Sequence, residues 1–189
     1  MDIKKTLREA ILKKQKRKYD YGCVMVGLNT DTDKWNEIQN RIDEDDLYFG
    51  DGENGGYGRE LDCHVTILFG VHEDVKDDKV ETLIGKIKKP ELTLKKISSF
   101  ENEKFDVLKF DVESQDLHEL NKTFKTLPHT TDFQEYQPHA TICYNLKGKA
   151  KKYIKKLNDY IVEHGPIKMD ATKIIYSKPD GTKKEYEFK

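Results

Sequence analysis

The chain has 189 residues, of which 37% are charged and 35% hydrophobic, so the sequence predicts a folded chain with a modest apolar core. Its 34 basic and 35 acidic side chains leave a net charge of -1. This balance argues against a general nucleic-acid-binding protein with a stable duplex partner, because such proteins usually carry a clear basic excess. A small anionic ligand held in a local basic pocket is compatible with it.

The three cysteines, Cys23, Cys63 and Cys143, lie in apolar strand-like runs and lack the spacing of metal ligands. We therefore expect buried or half-buried free thiols, which suit a reducing cytoplasm. The N-terminus shows no apolar signal region, and no run approaches membrane-spanning length. The sequence thus predicts a soluble, cytoplasmic protein with no membrane partner; its oligomeric state is left open.

Apolar periodicity and turn residues predict alternating helices and strands in the first half of the chain. In chain order these are a helix at 2–18, a strand at 21–28, a helix at 31–45, a glycine-rich loop at 49–58, a strand at 61–70 and a helix at 75–88. Thr30 or Asp31 is the predicted N-cap of the second helix.

The second half of the chain repeats this plan. The predicted elements are strands at 92–97 and 105–112, a helix at 114–126 capped by Ser114, a strand at 139–144, a helix at 149–163 and a hairpin at 171–188. In both halves a helix and an irregular segment precede a strand that contains His-x-Thr, and a helix follows it. This repetition predicts one domain of two lobes related by a pseudo-twofold axis, spanning 19–189, with 1–18 as a helical extension.

The repeated strands carry the motifs His64-Val65-Thr66 and His139-Ala140-Thr141. Residues i and i+2 of a strand point to the same side, so each strand should present an imidazole and a hydroxyl on one face. Cleavage of a phosphodiester needs a base for the attacking oxygen and an acid for the leaving oxygen, and histidine serves as either near neutral pH. The threonine hydroxyls can donate hydrogen bonds to the non-bridging oxygens. This chemistry requires no metal and no cofactor.

With these paired motifs the chain resembles the 2H phosphoesterase superfamily, and Pro138 before the second motif is also typical. The resemblance implies that His64, Thr66, His139 and Thr141 are catalytic. It also implies an α+β, bilobal LigT-like fold in which antiparallel sheets line a central cleft with helices outside.

Within that superfamily, the stretches 21–25, 44–48 and 58–60 are similar to the phage anti-CBASS nuclease branch. That resemblance implies hydrolysis of cyclic di- and trinucleotide messengers in the host cytoplasm, which would evade bacterial CBASS immunity. One alternative is an RNA-end enzyme acting on 2′,3′-cyclic phosphates or 2′-5′ bonds, with the lysine-rich segments 13–18 and 151–156 facing RNA. Another is a sponge that binds a nucleotide without cleaving it.

A nucleotide substrate needs apolar faces on which its bases can stack. Tyr21 opens the first strand, and the resemblance implies that an aromatic residue there stacks on a base. Phe100 ends a strand and is predicted to overhang the cleft, and Phe69 is a further aromatic candidate. Tyr144 is expected to pack in the core, because it has the opposite strand parity to His139.

Arg59 and Glu60 lie between the glycine-rich loop and the first motif strand. They and Tyr57 are predicted either to form a lid over the substrate or to belong to a solvated loop.

Overall fold

A computed structural model describes residues 19–50 and 57–189 of the chain. The predicted helix at 2–18 and most of the predicted glycine-rich loop lie outside these residues. Within the described ranges, no helix combines the length and the apolar character needed to cross a membrane.

The described residues form seven strands, four α-helices and a short 3₁₀ helix at Glu44–Asp46. The strands are β1 (Gly22–Leu28), β2 (His64–Val71), β3 (Glu91–Glu101), β4 (Phe105–Glu113), β5 (His139–Leu146), β6 (Ile167–Ser177) and β7 (Lys183–Tyr186). The helices are α1 (Asp33–Asn40), α2 (Asp77–Ile84), α3 (Gln115–Phe124) and α4 (Ala150–His164).

The strands pair in the order β1-β2-β5-β4-β3-β6-β7, and β6 also pairs with β1. Every pairing is antiparallel. One lobe contains β1, β2, β6 and β7, and the other contains β3, β4 and β5. The lobes are joined at two places: β2 pairs with β5 through Val65 opposite Ala140, and β3 pairs with the start of β6. The predicted α+β fold is confirmed, and the motif strands lie where the lobes meet.

Helix α1 is shorter than predicted and begins two residues later. Thr32 is its N-cap, with an extended backbone and a hydroxyl that accepts a hydrogen bond from the Trp35 amide. The cap predicted at Thr30 or Asp31 is therefore wrong. Trp35 and Ile38, on one face of this helix, are both buried.

The predicted C-terminal hairpin is confirmed in β6 and β7, which are joined by a turn at 178–182. Strand β6 nevertheless begins at Ile167, four residues before the predicted start. Its first residues pair with β3 rather than with β7, a contact between distant segments that local periodicity does not reveal.

All three cysteines are free thiols, as predicted: Cys63 and Cys143 are buried and Cys23 is half-buried. Burial raises the pKa of Cys23 to about 11 and that of Cys143 to about 12. Burial also raises the pKa of Cys63, with a smaller contribution from the nearby Glu60 carboxylate. Because the thiolate is the reactive form, the raised pKa keeps all three thiols in the unreactive form near neutral pH, and Cys63 and Cys143 pack as small apolar residues of the core.

Candidate active site

The two His-x-Thr motifs meet at the pairing of β2 with β5. The central residues of the motifs, Val65 and Ala140, lie opposite each other and are fully buried. Since side chains alternate along a strand, the outer residues of both motifs point to the other face. These half-buried residues are His64, Thr66, His139 and Thr141. The pairing thus brings the four predicted catalytic side chains to one place on the sheet.

Both motif histidines are held in the same way. The Nδ1 atom of His64 lies 2.8 Å from the carbonyl oxygen of Asp62, and that of His139 lies 2.9 Å from the carbonyl oxygen of Gln137. A carbonyl oxygen only accepts, so Nδ1 must carry the hydrogen in both rings. In a neutral ring Nε2 is then the free acceptor, which leaves one nitrogen of each imidazole for proton transfer.

His139 lies in an environment that favours its neutral form. Burial lowers its pKa below the usual range, and the charges of Lys109 and His64 act in the same direction. The hydrogen bond to the backbone carbonyl and the Asp111 carboxylate oppose this effect. Phe100 packs edge-on against the imidazole, with ring centroids 4.9 Å apart. A neutral imidazole near pH 7 is suited to act as a base.

A β-bulge follows the first motif. Thr66 and Leu68 each have a partner on β1, whereas Ile67 between them has none, so it is an extra residue. Ile67 and Leu68 are consequently both buried. Phe69 then lies on the same side as His64 and is 48% exposed.

An equivalent bulge follows the second motif, where Ile142 is extra between Thr141 and Cys143. Ile142 and Cys143 are both buried, and Tyr144 lines the cleft together with His64. The expected core position of Tyr144 is therefore wrong. The bulge reverses strand parity and turns the ring towards the catalytic face.

Each bulge carbonyl accepts a hydrogen bond from a buried amide side chain on a helix. The Asn121 Nδ2 group of α3 donates to the Ile67 oxygen at 2.6 Å. The Gln39 Nε2 group of α1 donates to the Ile142 oxygen at 2.9 Å. Both lobes therefore repeat a motif, a bulge, an amide contact and an aromatic ring on the catalytic face, in agreement with the predicted pseudo-twofold relation.

Removal of these amides should affect the two bulges unequally. The Ile142 oxygen also accepts the Glu60 amide at 2.9 Å, so it keeps a partner in the Gln39→Ala variant. We expect Asn121→Ala to lose about 1–3 kcal/mol of unfolding free energy and Gln39→Ala clearly less. Urea denaturation of both variants measures this difference, and equal losses would contradict the role assigned to the Ile67 contact.

A cleft of about 1440 Å³ opens beside the first motif. Its lining includes Tyr21, Glu60, His64, Phe69 and Tyr144. Tyr21 contacts Phe69 edge-on, with ring centroids 6.3 Å apart. These side chains give the cleft wall the flat apolar faces on which a base can stack.

The predicted residue Tyr57 lies in a cluster of aromatic rings beside the cleft. Its ring centroid is 5.1 Å from that of Tyr144 and 5.2 Å from those of Tyr48 and Phe105. This cluster extends the apolar wall that Tyr144 begins.

Arg59 and Glu60 are both anchored on β5. Arg59 forms a backbone bridge with Cys143, and its Nη2 atom donates to the Ile42 carbonyl at 2.8 Å. Glu60 faces the cleft; burial raises the pKa of its carboxyl group, while the nearby His64 charge opposes this. The two neighbours thus point to different surroundings, with only Glu60 among the cleft-lining residues.

Sequence reasoning missed two charged residues of β4 that share the catalytic face. Lys109 lies opposite Thr141, and Asp111 lies opposite His139. The sequence signal for them is that Lys109 and Asp111 lie two positions apart, and so on one face, within the otherwise largely apolar run 105–112. Across the described ranges, no cluster of three or more His, Cys, Asp or Glu side chains is arranged to hold a metal ion.

Comparison with known proteins agrees with this geometry. The family model described as "Anti-CBASS protein Acb1" matches residues 59–172, a range that includes both motifs. Usb1 of Kluyveromyces marxianus has a similar structure, with a TM-score of 0.54 and 10% identity over 89% of this chain and 98% of that chain. The structure of Usb1 with uridine monophosphate gives a TM-score of 0.55 and 8% identity at the same coverage of both chains.

At such low sequence identity these structural matches establish the fold alone. No curated protein matches the chain significantly. Since the family model covers more than half of its residues, the chain belongs to the anti-CBASS protein Acb1 family.

Proposed function

We propose that the chain is a metal-independent phosphodiesterase that hydrolyses cyclic oligonucleotide messengers of bacterial immunity in the host cytoplasm. The observation that carries this proposal is the pairing of Val65 with Ala140, which places two His-Thr pairs on one face at the junction of the lobes. The family to which the chain belongs supports the choice of substrate class.

In the proposed reaction His139 is the base and His64 is the acid. The free Nε2 of neutral His139 takes the proton from the attacking oxygen, which is either water or a ribose 2′-hydroxyl. As the new P–O bond forms and the opposite P–O bond breaks, Nε2–H of protonated His64 gives its proton to the leaving oxygen. Thr66 and Thr141 donate hydrogen bonds to the non-bridging oxygens, where negative charge must be stabilised.

Aromatic rings lie beside both motifs, which suits a ligand with more than one base. Tyr21 and Phe69 lie on the side of β2, while Phe100 is in contact with His139. We propose that Tyr21 and Phe100 stack on bases and that Tyr57 extends the surface through Tyr144. Arg59, which donates to the Ile42 carbonyl and bridges to Cys143, would hold the segment that carries Tyr57 against β5. The uridine monophosphate complex of Usb1 supports nucleotide binding by a protein of this fold.

The RNA-end alternative calls for a broad surface of unpaired basic groups. Lysines in the segment 151–156 instead form ion pairs: Lys151 with Glu101, and Lys152 with Asp43 and Asp46. This segment therefore offers little free positive charge to an RNA backbone, and the cyclic messenger is the better-supported substrate.

The proposal is tested by incubating the protein, with EDTA present, against cyclic di- and trinucleotides, an RNA with a 2′,3′-cyclic phosphate end and a 2′-5′ oligoadenylate. We expect cleavage of the cyclic messengers by the wild type and none by the His64→Ala/His139→Ala variant. Cleavage of only the RNA end or the 2′-5′ bond would favour the RNA-end alternative. Binding of cyclic messengers without cleavage would favour the sponge, and loss of activity with EDTA would contradict metal independence.

A further inference from the structure

Strand β4 places a lysine on the catalytic face directly next to the second motif. Lys109 lies opposite Thr141, and Asp111 lies opposite His139. Directly opposite residues of an antiparallel pair share a face, with their Cβ atoms roughly 5 Å apart. Lys109 therefore lies beside the threonine to which the proposed function assigns the phosphate.

The Lys109 ammonium is buried and fixed by three neighbours. Its Nζ atom donates to the Ser98 hydroxyl at 2.8 Å and to the Asp111 carboxylate, and it lies 4.4 Å from the centroid of the Phe100 ring. Ser98 also donates to Asp111 at 2.8 Å. Lys109 is only 5% exposed. A buried charge is costly unless it is paired, so this network holds a cation at a defined point of the sheet.

The first lobe shows that the fold does not need a charge at this position. Met25 lies opposite Thr66 on β1, as Lys109 lies opposite Thr141 on β4, and a bulge follows the threonine in both cases. An apolar side chain thus fills the matching place in the other lobe. Lys109 with its network is a feature of the second lobe alone, on the side of His139.

We propose that Lys109 is a positioning residue of the reaction: its ammonium, paired with Asp111, holds the Phe100 ring against His139 and fixes the charges around that imidazole. This role rests on the proposed function. Because the network holds these groups in place before the reaction, they need no reorganisation during it.

The charged groups around His139 predict the direction in which its pKa should shift when Lys109 or Asp111 is replaced. Lys109 and Asp111 face it from β4 and His64 from β2, while Lys96 on β3 faces Asp111. Lys109 lowers the pKa of His139, whereas Asp111 raises it. Loss of the lysine charge should therefore raise the pKa of His139, and loss of the aspartate charge should lower it further.

The test compares Lys109→Met, Lys109→Arg and Asp111→Asn with the wild type in two measurements. The first is an NMR titration of the His139 ring, assigned with His139→Ala, which needs no substrate. The second is the pH profile of kcat/KM for cyclic dinucleotide cleavage. Methionine is chosen because Met25 fills the equivalent position in the first lobe.

We expect Lys109→Met to reduce kcat/KM roughly tenfold or more. The same variant should move the NMR titration of His139, and the ascending limb of the pH profile of kcat/KM, to higher pH. Lys109→Arg should restore both towards wild type, and Asp111→Asn should move the titration to lower pH. A merely structural lysine would change stability without these opposite shifts.

Unchanged titration of His139 in both Lys109→Met and Asp111→Asn would overturn the inference. An active wild type with unaltered kcat/KM in Lys109→Met would also overturn it. A wild type inactive on every phosphodiester would instead overturn the proposed function, and the NMR shifts would still decide whether Lys109 acts on His139. If Lys109→Met fails to fold, the other two variants decide: the His139 titration should move to lower pH in Asp111→Asn and stay near the wild-type pH in Lys109→Arg.

Discussion

Replacement of His139 by alanine should lower kcat for cyclic dinucleotide cleavage roughly 10²- to 10⁴-fold, and replacement of His64 should have an effect of the same order. Each variant removes a proton transfer that occurs only in the transition state, so KM should change much less than kcat. Both rings are half-buried, and the fully buried residues between the motif ends, Val65 and Ala140, are untouched. The melting temperature should therefore stay close to that of the wild type.

The assignment of base and acid has a sharper test with a ribonucleoside 3′-(p-nitrophenyl phosphate). Nitrophenolate leaves readily without a proton, so His64→Ala should lose little activity on this substrate while His139→Ala stays impaired. The opposite pattern would exchange the two roles. His164→Ala is the matched control, since His164 is exposed at the end of α4. A comparable loss in that variant would mean that the effects are not specific to the motifs.

The sequence was sufficient to predict the elements that hold the motifs, because their signals are local. Alternation of apolar and polar residues predicts β2 and β5 and puts each imidazole and hydroxyl on one face, and Val65 and Ala140 between them are accordingly buried. Ser114 was recognised as the cap of α3, where its hydroxyl accepts the Leu117 amide at 3.1 Å. Such features depend on residues within one turn or one strand.

The bulges could not be predicted in the same way, since alternation assumes an uninterrupted ladder. An extra residue at Ile142 reverses the parity of all residues after it, and for this reason Tyr144 was wrongly expected in the core. The local sign in the sequence is two consecutive apolar residues, at Ile67-Leu68 and at Ile142-Cys143, and all four are buried. The role of Lys109 could not be predicted for another reason. A charged residue in a strand usually indicates the side that faces solvent, and the pairing of Lys109 with Thr141 joins segments distant in the sequence.

Substitution of Gly70 by alanine should destabilise the protein by roughly 3 kcal/mol or more, because two penalties combine. Gly70 has a φ of +92°, a backbone conformation that residues with a Cβ atom rarely adopt. A Cβ atom there would also lie 1.7 Å from the Thr130 carbonyl oxygen, a backbone atom that has no rotamer by which to move away. The Thr130 amide in turn donates to the Gly70 oxygen at 2.9 Å, so relief of the clash would break this contact.

Gly148 separates the two penalties, since it has a φ of +81° but nothing within 4 Å of an added Cβ. Gly148→Ala should therefore lose only about 1 kcal/mol, the cost of the left-handed backbone. For a chain of this size the melting temperature should fall by roughly 2–4 °C in Gly148→Ala and roughly 6–12 °C in Gly70→Ala. If Gly70→Ala and Gly148→Ala lost the same unfolding free energy in thermal and urea denaturation, the segment at Thr130 would be able to move away from β2. A larger loss for Gly70 would show that this segment is fixed against the strand that carries His64, which ties the stability of the fold to the placement of the first motif.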